Sequence, residues 1–530
     1  MVNKKLQVWL PLLFAVVMTI GMWIGYKLRE DTGGIAGFLN NTRSSSVQEI
    51  IGLIQDKYVD TVAVDSLKES AINEMLAHLD PHSIYIPARE LQDVNEDLQG
   101  NFQGIGVEFQ IFNDTVNIVN VIADGPSFKA GVQVGDKIIK VNDTVQVASV
   151  KIKPADIKKL LRGEGGSKVK LTVLRDNNPT TLTIERGTIP LPSVDVAYMM
   201  APGKGFIHIN KFSETTYPEF MQAMEKLQKQ NLQELILDLR GNGGGILQEA
   251  VDIADEFLDE DKMIVYTKGG HVPPAEYYCK KDGVFEKGKL TVLVDETSAS
   301  ASEILSGALQ DWDRATIIGR RTFGKGLVQQ QFNLSDGGAL RLTVARYYTP
   351  LGRNIQKPYT SNNREAYEDE LIHRFHDGEV VHGDTSAPVG PPFKTKGGHI
   401  VYGGGGITPD IFVPFDTTSQ PDAILQLYIK GTFNNFVYTY YMQNKTYLQT
   451  LKTPTDLYKT FHAGDKEWQE LISFAKRDSI DLTTVSAKAK NDLLQKFPAQ
   501  LARQIWRSEG FYEVSNETDP MIKKAVEAMQ

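Results

Sequence analysis

The sequence has one cysteine, Cys279, in 530 residues, so no internal disulfide can form. Its nine histidines are scattered, without an H-E-x-x-H motif or any paired metal-ligand spacing, which leaves a zinc site and a Ser–His pair without support. Basic residues do not outnumber acidic ones, and the net charge of -9 gives no general attraction to a phosphate backbone. We therefore expect no metal, no cofactor and no nucleic-acid partner.

One segment near the N-terminus lacks charge altogether. Residues 8–26 read VWLPLLFAVVMTIGMWIGY, and as a helix this run would be about 28 Å long, close to the thickness of the hydrocarbon layer. Lys4 and Lys5 precede it, and no small-residue cleavage site is evident. We predict a retained signal anchor over residues 1–30 in a bacterial inner (cytoplasmic) membrane, with the rest of the chain on the periplasmic side. A cleaved signal peptide is the alternative.

The pattern of apolar residues divides the rest of the chain into four regions. Residues 31–94 contain apolar residues at helical spacing over 47–79, which predicts two helices. Residues 95–187 consist of short β-like runs separated by turns and predict a small β-rich domain. Strands and helices alternate over 188–415, as is typical of an α/β core, and residues 416–530 are predicted to be a helical extension. The fold class is multidomain α/β.

Two glycine-rich turns in the α/β core are incomplete nucleotide-binding motifs. The run DLRGNGGG (Asp238–Gly245) follows an apolar strand and opens a helix, so its backbone N–H groups can face an anion. A dinucleotide site would need a third glycine where Ile246 stands. The later skeleton Gly319-x-x-x-x-Gly324-Lys325 lacks the Ser or Thr of a phosphate-binding P-loop. We therefore interpret the first turn as an anion-stabilising turn and do not predict nucleotide hydrolysis.

Between these turns lies SASASE (Ser298–Glu303), after an apolar strand and at the start of a helix. A serine on such a turn can expose its hydroxyl while neighbouring N–H groups face the same cavity. Taken alone, Ser300-x-x-Glu303 is also a capping box, which satisfies two backbone donors at a helix start. The hexapeptide by itself leaves both interpretations open, with capping the more common.

Lysine is the remaining choice of base, because no histidine motif stands near the serine. Lys325 follows about one βα unit later, and Gln329 stands four residues beyond it. A lysine serves as base at neutral pH only where burial disfavours its charged form. A solvated surface lysine is the default alternative.

Taken together, the segments SASASEI, GALQD, TFGKG and VQ occur in the order found in the carboxyl-terminal processing proteases, also called tail-specific proteases. They stand here at Ser298–Ile304, Gly307–Asp311, Thr322–Gly326 and Val328–Gln329, and the chain resembles that family over about residues 45–415. The resemblance implies a crotonase/Clp-protease-like α/β core. It also implies that Ser300 is the nucleophile, Lys325 the general base and Gln329 the partner that orients the lysine amine.

The same resemblance, with the geometry of a strand-to-helix turn, predicts an oxyanion hole formed by the backbone N–H of Ala301 and one N–H of the glycine turn. Gly244 is the predicted second donor, and Gly243 or Gly245 are the alternatives.

The β-rich region resembles the PDZ domain of the same family. Gly104, Ile105, Gly106 and Val107 resemble the loop whose backbone amides receive a peptide's terminal carboxylate, and VIADGPSFKAGVQVGDKIIKVND resembles the rest of that domain. A peptide C-terminus can add as a strand to an open sheet edge while its carboxylate binds backbone N–H groups. An ordinary tight turn is the alternative for these four residues.

We therefore expect a serine endopeptidase that captures unstructured C-terminal tails of exported proteins with its PDZ domain and cleaves them through an acyl-enzyme at Ser300. One alternative is a catalytically silent PDZ scaffold or adaptor in the cell envelope. Another is an acyl-CoA enzyme of the crotonase type, which has no need of a PDZ domain or an anchor. The expected partners are protein tails and the membrane, and the helical extension is a candidate surface for self-association or for an adaptor.

Overall fold

The computed structural model describes residues 15–22, 46–112, 114–148, 151–259, 261–360, 363–383, 390–416 and 421–530. Residues 15–22 are helical. Within the described ranges, no helix has the length and apolar content needed to cross a bilayer. Most of the predicted anchor, residues 8–26, lies outside the described residues, so the anchor stays a prediction.

The chain divides after Glu74 into two units. The described part of the first contains helix α1 (Ser46–Lys57), which has no buried residue, and the start of α2 (Val64–Ala77). These are the two helices predicted over 47–79. The second unit contains the three regions that follow.

A small antiparallel sheet forms the β-rich region, with strand order β3-β4-β5-β7-β8 and β6 paired to β5. Alternate residues of its strands are apolar and pack with a short helix, residues 154–161, around a core that includes Ile118, Ile138 and Leu171. Strand β3 is an edge of this sheet. The bounds are β3 Val107–Phe112, β4 Thr115–Val121, α4 Pro126–Lys129, β5 Lys137–Val141, β6 Val145–Gln146, α5 Pro154–Leu161, β7 Lys168–Arg175 and β8 Asn178–Glu185.

Three more elements link this sheet to the α/β core. Helix α3 (Ala88–Gln99) leads into β2 (Asn101–Gly104), which pairs antiparallel with β9 (Gly187–Pro190) after the β-rich region. The chain thus enters and leaves the β-rich region side by side, as expected for an inserted domain.

The α/β core is built on a six-stranded sheet with order β10-β11-β12-β15-β16-β21, parallel from β11 to β21. Its central strands are almost continuously apolar because helices cover both faces. The bounds are β10 Val194–Ala201, β11 Lys204–Ile209, α6 Thr216–Gln228, β12 Glu234–Asp238, α7 Leu247–Asp255, β15 Lys289–Val294, α8 Ala301–Asp311, β16 Thr316–Gly319 and β21 Ile411–Phe412.

A second, antiparallel sheet lies in the same core, with order β1-β18-β13-β14 and β17 also paired to β18. The β17–β18 register shifts between Val328 and Gln329, which is a bulge beside the predicted Gln329. The bounds are β1 Ile84–Ile86, β13 Met263–Lys268, β14 Ala275–Tyr278, β17 Leu327–Asn333, β18 Ala339–Tyr348, α9 Arg364–His376, α10 Glu379–His382, β19 Pro392–Lys394 and β20 Ile400–Tyr402.

The C-terminal region is helical, as predicted, and has an aromatic core of its own that includes Phe433, Phe436 and Phe497. It contacts the β-rich sheet, where Tyr438 lies 5.5 Å from Phe112 by ring centroids. Its last helix packs beneath the core sheet through Met521. The bounds are α11 Asp422–Ile429, α12 Thr432–Leu448, α13 Pro454–Thr460, α14 Asp465–Ala475, α15 Ala487–Asn516 and α16 Pro520–Ala528.

Candidate active site

Three predicted motifs meet at one edge of the parallel sheet. Strands β12, β15 and β16 are neighbours, and the glycine turn, the SASASE turn and the TFGKG loop each follow the carboxyl end of one of them. Because the carboxyl ends of parallel strands lie on the same side, loops far apart in the sequence come together there. This edge is where open α/β sheets place their binding sites.

Ser300 lies at the turn between β15 and α8 with φ +54° and ψ −110°, a conformation that non-glycine residues rarely adopt. The turn is held by the glycine segment, since the N–H of Ala299 and the hydroxyl of Ser302 both donate to the Asn242 carbonyl at 3.0 Å. A strained serine between strand and helix presents its hydroxyl above the sheet edge. The predicted nucleophile Ser300 therefore lies on a strained turn between a strand and a helix.

Glu303 connects the serine turn to the lysine loop. Its carboxylate is fully buried and accepts the N–H of Ser300 at 2.8 Å, the Gly324 N–H at 2.7 Å and the Lys325 N–H at 2.8 Å. The Thr322 hydroxyl donates to it at 2.6 Å. The sequence had suggested only a cap for this residue. The carboxylate half of that cap is present, and three further donors make Glu303 a link between the serine turn and the lysine loop.

Lys325 is half-buried, and its amine donates to Oε1 of Gln329 at 3.0 Å. Burial and then the nearby Arg341 guanidinium lower the pKa of this amine, while Glu303 and Asp80 raise it. The net direction is downward, which favours the neutral amine that a general base needs. The default of a solvated surface lysine does not describe this environment.

Tyr347, on β18, was not found from sequence. Its buried hydroxyl lies 2.5 Å from the Lys325 carbonyl and 3.1 Å from the Ser300 carbonyl. It thus holds the backbones of both residues from the second sheet. In the described part of the chain no hydrogen bond joins the Ser300 hydroxyl to the Lys325 amine directly. The two segments are coupled by Glu303, by Tyr347 and by the Phe323 N–H, which donates to the Ser298 carbonyl at 3.0 Å.

The glycine turn lies against the serine turn. A Cβ on Gly244 would be 2.6 Å from the Ala299 carbonyl oxygen and 2.9 Å from the Ala301 nitrogen, so glycine is required for this approach. The Gly244 N–H donates to Oδ1 of Asn242 at 2.8 Å. Among the described residues, the N–H groups of Ala301, Gly243 and Gly245 have no acceptor.

The predicted peptide-binding loop lies at the start of edge strand β3. Gly106 has φ +73°, and its carbonyl accepts the N–H of Ile122 at 3.1 Å, while the Ile105 carbonyl accepts the Ser127 N–H at 2.9 Å. No acceptor within the described ranges takes the N–H of Ile105 or Gly106. Unpaired N–H groups next to an open strand edge are suited to a carboxylate-ended peptide strand. Gly104 ends β2, and Val107 begins β3.

In the part of the chain that the structure describes, no group of three or more His, Cys, Asp and Glu side chains could hold a metal ion.

Two residues near Lys325 had no signal in the sequence. Arg341 is partly buried on β18, and the His82 carbonyl accepts a hydrogen bond from Nε2 of Gln329. Both reach the site through strand pairing across long stretches of sequence.

Comparison with known proteins identifies three family models that match parts of the chain. A model described as peptidase family S41 matches residues 203–365, and a PDZ domain model matches residues 103–185. A third, described as a family of unknown function (DUF8443), matches residues 424–507 in the helical extension.

Two bacterial relatives are similar over most of their length. The probable CtpA-like serine protease of Staphylococcus haemolyticus is 35% identical over 361 residues, which are 66% of this chain and 71% of that protein. The carboxy-terminal-processing protease of Bartonella bacilliformis is 37% identical over 315 residues, 58% of this chain and 71% of that protein. Among solved structures, a photosystem II D1 C-terminal processing protease is 27% identical, with a TM-score of 0.36 over 70% of this chain and 86% of that one. The family predicted from the motifs is confirmed: the chain belongs to peptidase family S41, as a serine-type, carboxy-terminal-processing peptidase with a PDZ domain.

Proposed function

We propose that this protein is an endopeptidase with a Ser300–Lys325 dyad, oriented by Gln329, that cleaves the tails of exported proteins through an acyl-enzyme. The observation that carries the proposal is the half-buried Lys325 amine, held by Gln329 Oε1 at 3.0 Å and linked through Glu303 to the strained Ser300 turn. The crotonase/Clp-protease-like description of the core belongs to the same proposal. The parallel sheet, with catalytic turns at one edge, supports it.

In the proposed mechanism, the Ser300 hydroxyl oxygen attacks the scissile carbonyl carbon while its proton passes to the neutral Lys325 amine. The two groups come into hydrogen-bond contact when substrate binds, as is common for catalytic pairs that are apart in the free enzyme. The oxyanion forms beside the Ala301 N–H and a glycine-turn N–H. Donors of this kind each contribute about 3 to 4 kcal/mol of transition-state stabilisation.

The intermediate then collapses, and the leaving amine takes the proton from the Lys325 ammonium. The Lys325 amine, neutral again, takes a proton from a water molecule whose oxygen attacks the acyl carbon. The bond between that carbon and the Ser300 oxygen breaks, the Ser300 oxygen takes the proton from the Lys325 ammonium, and the new C-terminus is released. For the second oxyanion donor we retain Gly244 from the family resemblance, although its N–H donates to Asn242 in the free site. Gly243 and Gly245, whose N–H groups are unpaired among the described residues, are the alternatives.

The PDZ domain is proposed to select substrates by their free C-terminus. The peptide would pair with edge strand β3, and its carboxylate would accept the N–H groups of Ile105 and Gly106.

The proposal also includes the anchor at residues 8–26 and an inner-membrane position with a periplasmic catalytic domain. It further includes a self-association or adaptor surface on the helical extension. Membrane fractionation and sedimentation of the full chain test these parts separately.

The dyad is tested with the full chain in mild detergent, comparing wild type, Ser300→Ala and Lys325→Ala on an unstructured protein with an apolar C-terminus. We expect cleavage by wild type alone. Retained cleavage by Ser300→Ala would overturn the mechanism. A wild-type protein that binds the tail without cleaving it would instead favour the PDZ scaffold.

Tail selection is tested with the same substrate carrying a folded domain fused to its C-terminus. We expect wild type to cleave this fusion more slowly than the substrate with a free tail.

A further inference from the structure

The orientation of the Gln329 amide decides what faces Lys325. Its Oε1 accepts from Nζ of Lys325 at 3.0 Å, and its Nε2 donates to the backbone carbonyl of His82. In the reversed orientation, Nε2 would oppose the ammonium form of Lys325 as donor against donor, or would occupy the lone pair of its neutral form. Oε1 would then face the His82 carbonyl as acceptor against acceptor. The His82 carbonyl therefore favours the orientation that gives Lys325 an acceptor.

That carbonyl belongs to a turn, residues 80–83, held by a buried carboxylate. Asp80, 8% exposed, accepts the N–H groups of His82 and Ser83 on Oδ1, each at 2.9 Å. Its Oδ2 accepts the Ser83 hydroxyl at 2.5 Å. The Asp80 side chain thus accepts three hydrogen bonds, which hold the local conformation of the turn.

The turn is fastened to the strand that faces Gln329. The Thr343 hydroxyl donates to Oδ1 of Asp80 at 2.9 Å, and the Thr343 N–H donates to the Ser83 hydroxyl at 3.2 Å. Thr343 on β18 is the residue paired with Gln329 on β17. A hydrogen bond of 2.9 Å also joins Nε2 of His82 to the Tyr367 hydroxyl. The position of the His82 carbonyl, which accepts from Nε2 of Gln329, is therefore set by the hairpin that carries Gln329.

We propose that the Asp80–Ser83 turn positions the general base, with Asp80 as its positioning residue. This rests on the proposed role of Lys325. A neutral amine has two N–H groups and one lone pair, so an N–H occupied by Gln329 leaves the lone pair free to turn toward Ser300. Asp80 itself contacts neither Gln329 nor the reacting atoms through a hydrogen bond of the described chain.

The test compares steady-state cleavage of the tail substrate by full-chain wild type, Asp80→Ala and Asp80→Asn. Asp80→Ala should lower kcat by about 10- to 100-fold with KM within about twofold, because the base is displaced while substrate binding is kept. Asp80→Asn keeps the Oδ1 acceptor for both N–H groups and for Thr343, so it should restore most of kcat. The matched control is Asp255→Ala, a buried aspartate, 7% exposed, that holds the Lys280 N–H at the far end of α7 and should leave kcat unchanged.

Wild-type kcat in a folded Asp80→Ala protein would overturn the proposal, as would an Asp80→Asn protein no better than Asp80→Ala. If Asp80→Ala does not fold, Thr343→Val removes one fastening hydrogen bond and should still lower kcat without raising KM; an unchanged kcat there also overturns it. Failure of the dyad itself is distinguishable, because it would leave Ser300→Ala active.

Discussion

Replacing Glu303 by glutamine tests whether one buried carboxylate holds the serine turn and the lysine loop together. Oε1 accepts the Thr322 hydroxyl at 2.6 Å and the Gly324 N–H at 2.7 Å, and Oε2 accepts the N–H groups of Ser300 and Lys325, both at 2.8 Å. A glutamine amide has one acceptor end and one donor end. In either orientation, two of the four donors face an NH₂ group.

The expected loss of stability follows from that count. A hydrogen bond to a charged acceptor contributes about 1.5 to 3 kcal/mol, so two lost bonds would cost about 3 to 6 kcal/mol. Burial raises the pKa of Glu303, which shows that the charged form is disfavoured there, and a neutral amide recovers part of the loss. We expect Glu303→Gln to lower the free energy of unfolding by about 2 to 4 kcal/mol. Displacement of the lysine loop should lower kcat about 100-fold.

The same substitution has a signature in the pH dependence. The negative charge of Glu303 raises the pKa of Lys325, so its removal lowers that pKa. Because the proposed base, Lys325, works as the neutral amine, the rise of kcat/KM with pH should move to lower pH in Glu303→Gln.

Urea unfolding and kcat/KM of the full chain measure these effects. Thr322→Val is the control, since it removes one of the four donors and leaves the carboxylate charged; we expect a loss of about 1 to 2 kcal/mol and no acid shift. The Thr322 hydroxyl also accepts the Ile407 N–H at 2.6 Å, which accounts for part of that loss. A Glu303→Gln protein as stable and as active as wild type would refute the reasoning.

Three further substitutions probe the same site. Arg341→Gln removes a charge that lowers the pKa of Lys325, so the rise of kcat/KM should move to higher pH; an unmoved profile contradicts this. Tyr347→Phe leaves the Lys325 carbonyl without its hydroxyl donor and should lower the free energy of unfolding by about 1 to 3 kcal/mol, with a fall in kcat. Gly244→Ala should abolish cleavage, because its Cβ would lie 2.7 Å from the Ser300 Cβ at φ +96°; full activity would exclude that contact.

The sequence predicted the parts of the site that follow from local order along the chain. Ser300, Lys325 and the glycine turn each come after an apolar strand, and neighbouring parallel strands bring such turns to one edge. Tyr347 and Arg341 could not be predicted this way, because they reach the site through the register of the β17–β18 pair, which no local pattern encodes. The four-donor role of Glu303 was hidden behind a common capping motif.

The helical extension shows a different limit of prediction. Its pattern predicts helix throughout, yet Arg507 interrupts α15 with φ +61° and ψ −147°. The Arg507 guanidinium donates to the Val119 carbonyl of β4 at 3.2 Å, 388 residues away in sequence. A tertiary contact with the β-rich sheet thus coincides with a conformation that local helical preference opposes.

A buried carboxylate near the proposed lysine base raises an electrostatic question, because a negative charge favours the ammonium form of the lysine. The answer lies in the relative size of the effects on Lys325: burial is the largest and lowers its pKa, and Arg341 follows in the same direction. Glu303, whose oxygens face four donors, acts in the opposite sense with a smaller effect. The carboxylate can therefore hold the Ser300 and Lys325 backbones by hydrogen bonds while the lysine amine keeps a lowered pKa. If Glu303 were exposed and Lys325 solvated, the hydrogen bonds that align the Ser300 and Lys325 backbones would be lost. The lowered pKa of the lysine amine would be lost as well.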